Sequence, residues 1–88
     1  MLRFYFDVSI NGQLARDDEG LELESLDAAE HEAVRTASEI VREDLSVGIT
    51  SEIVLHIRDE QGQLVLRVAA SMMVQRMNIA HGKQSNFA

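Results

Sequence analysis

The opening ten residues constrain this chain most. Leu2, Phe4, Phe6, Val8 and Ile10 occupy every second position, with Arg3, Tyr5, Asp7 and Ser9 between them. Side chains alternate across a strand, so the pattern places five apolar groups on one face and a mostly polar row on the other. Such a strand must lay its apolar face on something. Asn11-Gly12 follows it. Both residues tolerate positive φ, as a type I′ turn requires, so a tight hairpin is predicted, with a short return strand over residues 13–16.

Asp17-Asp18-Glu19-Gly20 reads as a turn, and Leu21 and Leu23 as a further short strand or extended lead-in. A helix follows. Asp27 and Glu30 have capping-box spacing, with Ser25 as a rival cap. Ala29, Ala33, Val34, Ala37, Ile40, Val41 and Leu45 recur at three- and four-residue steps, so they form one apolar stripe. Glu32–Arg35 and Glu39–Arg42 are the expected helical ion pairs, and Gly48 suits the helix stop. Ile49, Ile53, Leu55 and Ile57 share one strand parity, against Glu52, Val54, His56 and Arg58. Asp59-Glu60-Gln61-Gly62 turns the chain. Leu64, Leu66, Val68, Ala70, Met72 and Val74 then keep period two over a run long enough to predict either a bulge or a portion exceeding its partner strand. A short helix over residues 71–80 is the alternative for the end of that run, and strand is preferred because the alternation is unbroken.

The predicted fold class is therefore α+β: a two-layer, mainly antiparallel sheet in the order β-β-(β)-α-β-β, with one amphipathic helix across one face. Residues 1–77 are expected to form a single domain, and residues 78–88 a mobile C-terminal tail. With 88 residues and no cysteine, no disulfide or thiolate metal site staples the fold. Such a domain relies on packing, often with a second copy of itself. The N-terminal segment lacks the continuous apolar core of a signal peptide and nothing approaches a spanning helix, so cytoplasmic residence is expected and no membrane partner is implied.

One helix covers one face. The other face would show Tyr5, Val54, His56, Val65, Arg67, Ala69 and Met73, a set too apolar for water and too charged for a core. These residues are the candidate interface, and a homodimer packed there or along an edge strand is the expectation. Of the three histidines, His56 is the one placed to act as a pH-sensitive contact. His31, His56 and His81 fall in no ligand-spaced cluster. The acidic turn lacks the ligand order of a calcium loop, no glycine-rich phosphate loop occurs, and no serine sits in a nucleophile motif. No catalytic residue, metal site or cofactor is therefore proposed. The net charge of −7 disfavours phosphate backbones. Twelve of the 15 acids precede residue 45, however, and the weakly basic remainder keeps a nucleic-acid-associated role as a third reading.

Arg3-Phe4-Tyr5-Phe6-Asp7, Asp18-Glu19-Gly20, Leu21-Glu22-Leu23, Leu26, Ala28-Ala29 and Glu32-Ala33-Val34-Arg35, with the later Ile57-Arg58-Asp59-Glu60 and Leu64-Val65-Leu66-Arg67, carry a likeness. Over residues 2–76 the chain resembles a family of short, uncharacterised proteins of rhizobia-like alphaproteobacteria, a domain of unknown function. The family is marked by an opening aromatic strand, an Asp-Glu-Gly turn and a Leu-x-x-Ala-Ala helix start. The resemblance implies the fold and a cytoplasmic bacterial setting, and no activity. A looser similarity to the antitoxin partners of small toxin–antitoxin pairs is architectural only, since the chain has no proline. The leading expectation is a small non-enzymatic protein-interaction or regulatory domain. The alternative is a small-molecule or metal-binding domain, with a pocket between helix and sheet or acids meeting between subunits.

Overall fold

Apolar alternation and turn chemistry decide the elements of the computed structural model, which describes residues 1–43, 50–73 and 75–77. Strand β1 spans Leu2–Ile10 and β2 spans Gln13–Ala15, joined through Asn11 and Gly12. Both turn residues have positive φ, 49° and 89°, as the type I′ geometry demands. Asn11 also closes the end of the sheet: its N–H donates to the Glu52 carbonyl, and its Oδ1 accepts from the Glu52 N–H, each at 2.9 Å. Strand β3, Leu21–Leu23, pairs with the other end of β1. Helix α1 covers Leu26–Glu43. Strands β4, Thr50–Arg58, and β5, Leu64–Met73, form the closing hairpin.

All the pairings are antiparallel, and the strand order is β2-β1-β4-β5, with β3 also on β1. Register joins like with like. Phe6, Val8 and Ile10 face Ile57, Leu55 and Ile53, and these face Leu66, Val68 and Ala70. The helix lies over β4 and β5 on that side. Its alanines Ala29, Ala33 and Ala37 and its Val41 are buried against Phe4, Ile53, Leu55 and Ile57. Small side chains at one-turn spacing let the helix come close to the sheet, so the β4 isoleucines and leucine lose all contact with water. The architecture is the α+β two-layer fold that the alternation predicts.

The bulge falls at the start of β5: Ile57 faces Leu66, whereas Arg58 faces Leu64, so the chain gains a residue at Val65. The strand alternative holds at the other end, since Ser71–Met73 remain in β5 and residues 75–77 have no regular structure. The helix cap differs from the Asp27 expectation. Ser25 Oγ accepts from the Ala28 N–H at 3.1 Å, and Asp27 sits inside the first turn, where its charge meets the helix dipole instead. Arg35 bridges Glu32 at 2.6 Å and Glu39 at 2.9 Å, so the expected Glu32 pair forms, while Glu39 is taken by Arg35 rather than Arg42. Val34, on the predicted apolar stripe, is 49% exposed. Leu45, Gly48, Ile49, Val74 and the expected tail at 78–88 lie outside the described residues. Among the described residues, no helix is long and apolar enough to cross a membrane.

Candidate functional site

The uncovered face of the sheet is built from the off-parity residues of β1, β4 and β5. Register sets them in rows: Tyr5 beside Arg58, Asp7 beside His56 and Arg67, and Ser9 beside Val54 and Ala69, with Met73 at the far end of β5. The structure thus gathers Tyr5, Val54, His56, Arg67, Ala69 and Met73 on one surface. Val65 departs from the group. It stands at the bulge and lines a groove of 260 Å³ with Leu2, Phe4, Leu26 and the Asp59–Gln61 turn.

At the β1 end of this face lies a polar cluster that pattern reasoning did not foresee. Asp7 is buried, at 7% exposure. Arg58 grips it bidentately: Nε donates to Oδ2 at 2.7 Å and Nη2 to Oδ1 at 2.9 Å. The same Nη2 donates to the Asp17 carbonyl at 3.1 Å, and the guanidinium lies 5.1 Å from the centroid of the Tyr5 ring, within cation–π range. The Arg58 guanidinium holds the Asp7 carboxyl below its ordinary value of 3.8, against the raising effect of burial. Asp7 in turn raises Arg58 further.

Asp17 completes the cluster. Opposite Tyr5–Asp7, three residues of β1, the chain between β2 and β3 spends five, Arg16–Gly20. The excess cannot continue the ladder, and the Asp17 carboxylate takes over. Its Oδ2 accepts from the Phe6 N–H at 3.0 Å, and its Oδ1 accepts from Glu19 and Gly20 at 3.0 and 3.1 Å. The Asp17 N–H donates back to Asp7 Oδ1 at 3.0 Å. Burial raises the Asp17 carboxyl, but the Phe6, Gly20 and Glu19 donors outweigh it and leave the group below 3.8. The acidic turn is thus a backbone clamp at Asp17, with Asp18 and Glu19 left in water. The signal for it was weak: two opposite charges, Asp7 and Arg58, of the same face parity but 51 residues apart.

Within the cluster, the charges of Asp7, Arg58 and Asp17 are spent on one another and on backbone groups. Exposed apolar groups stand on both sides of the sheet, with Leu2, Leu14 and Leu21 on β1–β3 and a further set on β5. Among the described residues, no strand pairs with the outer side of β5. That strand runs ten residues, LVLRVAASMM, with one charge, Arg67. Its exposed apolar side chains stand at both ends: Leu64 and Val65 at one, Met72 and Met73 at the other. Above it, Ser38, Val41 and Arg42 of the helix share a second groove with Ala70 and Met72.

Fold and surface together define a small two-layer α+β domain whose β5 strand, with a single charge, has no strand on its outer side among the described residues. The chain belongs to the family described as a domain of unknown function, DUF6894, whose model matches residues 3–71. That span takes in every element from β1 to most of β5, and agrees with the resemblance carried by the aromatic opening strand and the Asp-Glu-Gly turn. No curated protein and no solved structure matches the chain.

Proposed function

We propose that this protein is a non-enzymatic interaction domain of the bacterial cytoplasm, whose docking element is the open edge of β5. The setting rests on the family resemblance. The docking element rests on one observation: ten consecutive strand residues with a single charge end the sheet with no strand beside them among the described residues. An edge of this kind presents unpaired N–H and C=O groups to any added strand, and main-chain pairing of this sort is a common mode of recognition. Proteins that keep such edges free blunt them with charges, prolines, bulges or shortness; β5 carries one charge, Arg67, and one bulge, at Val65, and residues 68–73 carry neither. The expected partner is a second copy of the chain. Light scattering over micromolar to high-micromolar concentrations, together with a tagged pull-down from its own cytoplasm, tests the reading. A strict monomer that retrieves nothing overturns it.

A second reading, small-molecule binding, has one observation in its favour: the 260 Å³ groove beside the helix start, lined mainly by apolar groups. A thermal-shift panel of metabolites separates the two, since a ligand of the folded state raises the midpoint by mass action.

A further inference from the structure

We infer that two copies join edge to edge through β5, antiparallel, about a two-fold axis at Ala69 that also brings the two helices together at Val34. This rests on, and deepens, the interaction reading above.

Three observations select the arrangement. The first is the distribution of side chains along the strand. In a two-fold antiparallel pair, residues equidistant from the axis face each other. An axis at Arg67 would set Arg67 against its own copy, which like-charge repulsion opposes. An axis at Ala69 sets Arg67 against Ser71, Leu66 against Met72, and Val65 against Met73. The exposed apolar groups at the two ends of β5 then cover one another, and core-face residues meet core-face residues.

The second is the position of the helix. It lies over β4 and β5, so its axis stands about half a strand spacing inside β5. Strands are ~4.8 Å apart, which puts the two helix axes of the pair ~10 Å from each other, within the usual range for packed helices. The helix also runs along β5: Leu26 shares a groove with Val65, and Arg42 shares one with Met72. The sixteen steps between the helix positions span ~24 Å, and the seven between the strand positions span ~23 Å. Their midpoints, Val34 and the Val68–Ala69 bond, therefore lie over one another. A single axis serves both layers, and it passes the half-exposed valine that the helix otherwise leaves in water.

The third is charge. Ser38 and Arg42 share a groove with the β5 edge, and one turn before Ser38 on the same flank Val34 shares another with Asp27, Glu30 and His31 toward the helix N-terminal end. An antiparallel meeting sets the acidic end of each helix against Arg42 of the other, twice over.

The chain has no cysteine, so a single introduced one reports on the axis. Opposed residues in an antiparallel pair lie within disulfide reach. Ala69→Cys, an exposed and conservative change, is expected to give a disulfide-linked dimer under mild oxidation, faster than Ser71→Cys, whose copy faces Arg67. Arg42→Glu is expected to weaken self-association on the order of tenfold, and Asp27→Lys in the same chain to restore it. A protein that dimerises while Ala69→Cys links no faster than Ser71→Cys, or while Arg42→Glu leaves the Kd unchanged, overturns this arrangement and leaves the interaction reading standing. A protein that stays monomeric at high-micromolar concentration also overturns it, and the pull-down then decides whether the broader reading survives.

Discussion

Single side chains set the conformation of the loop between β2 and β3. Asp17 answers three backbone N–H groups, so its removal orphans donors that strand pairing cannot reach. Asp17→Ala is expected to cost about 2–3 kcal/mol, read as a shift in the urea midpoint. Gly20 is equally constrained: its φ is +75°, and an added Cβ would meet side-chain carbons of Arg3 and Tyr5 at 2.9 Å and the Phe4 carbonyl oxygen at 3.0 Å. The backbone oxygen cannot swing aside, so Gly20→Ala is expected to destabilise by about 2 kcal/mol. The pH dependence follows from the two carboxyls. Asp7 and Asp17 are both held below 3.8 in the folded state. Their stabilisation is therefore complete above that ordinary value and is lost as pH falls through the lowered folded values. Acid titration of the wild type should show the midpoint dropping below about pH 4, and Asp7→Asn together with Asp17→Asn should flatten that limb. None of this was legible as pattern. Asp7 is correctly placed on the outer face by parity, yet its partner becomes visible only when register sets the end of β4 beside β1. Asp17 reads as one acid among three in a turn until the mismatch of five residues against three is known.

The elements themselves were legible because each carries its own periodic signal. Period two marks β1, β4 and β5, and the Asn-Gly pair marks the first hairpin. The helix stripe is read correctly at Ala29, Ala33, Ala37 and Val41 and incorrectly at Val34, because periodicity gives the angle around the helix but not how far the sheet extends beneath it. Among the described residues the sheet ends at β5, and Val34 is left about half exposed. The cap shows a similar limit. Asp27 and Glu30 satisfy the capping-box spacing, but the chain enters its first turn two residues earlier, at Ser25. Ser25→Ala is therefore expected to cost about 1 kcal/mol, and Asp27→Ala only a few tenths through the helix dipole. Equal losses in thermal or urea denaturation would contradict this assignment.

At the scale of the molecule the core is thin. Among the described residues, three of the eight buried apolar ones are alanines, which bury little surface each, and the chain has no cysteine to cross-link it. Most of the large buried groups belong to β4, so Leu55→Ala should cost about 3 kcal/mol, a large share of the 5–15 kcal/mol available to domains of this kind. A fold with so small a reserve gains from covering apolar groups it leaves bare, among them a strip along the β5 edge, Leu64, Val65, Met72 and Met73, and the helix residue Val34. Association through that strip adds to folding stability by mass action, so the thermal midpoint should rise with protein concentration. In Arg42→Glu, whose side chain stays exposed in the single copy, the low-concentration midpoint should be nearly unchanged while the rise is lost. Calorimetry over a hundredfold dilution separates the two effects. A midpoint that is flat with concentration in the wild type would mean that the strip stays wet and that the core stabilises the fold without a second copy.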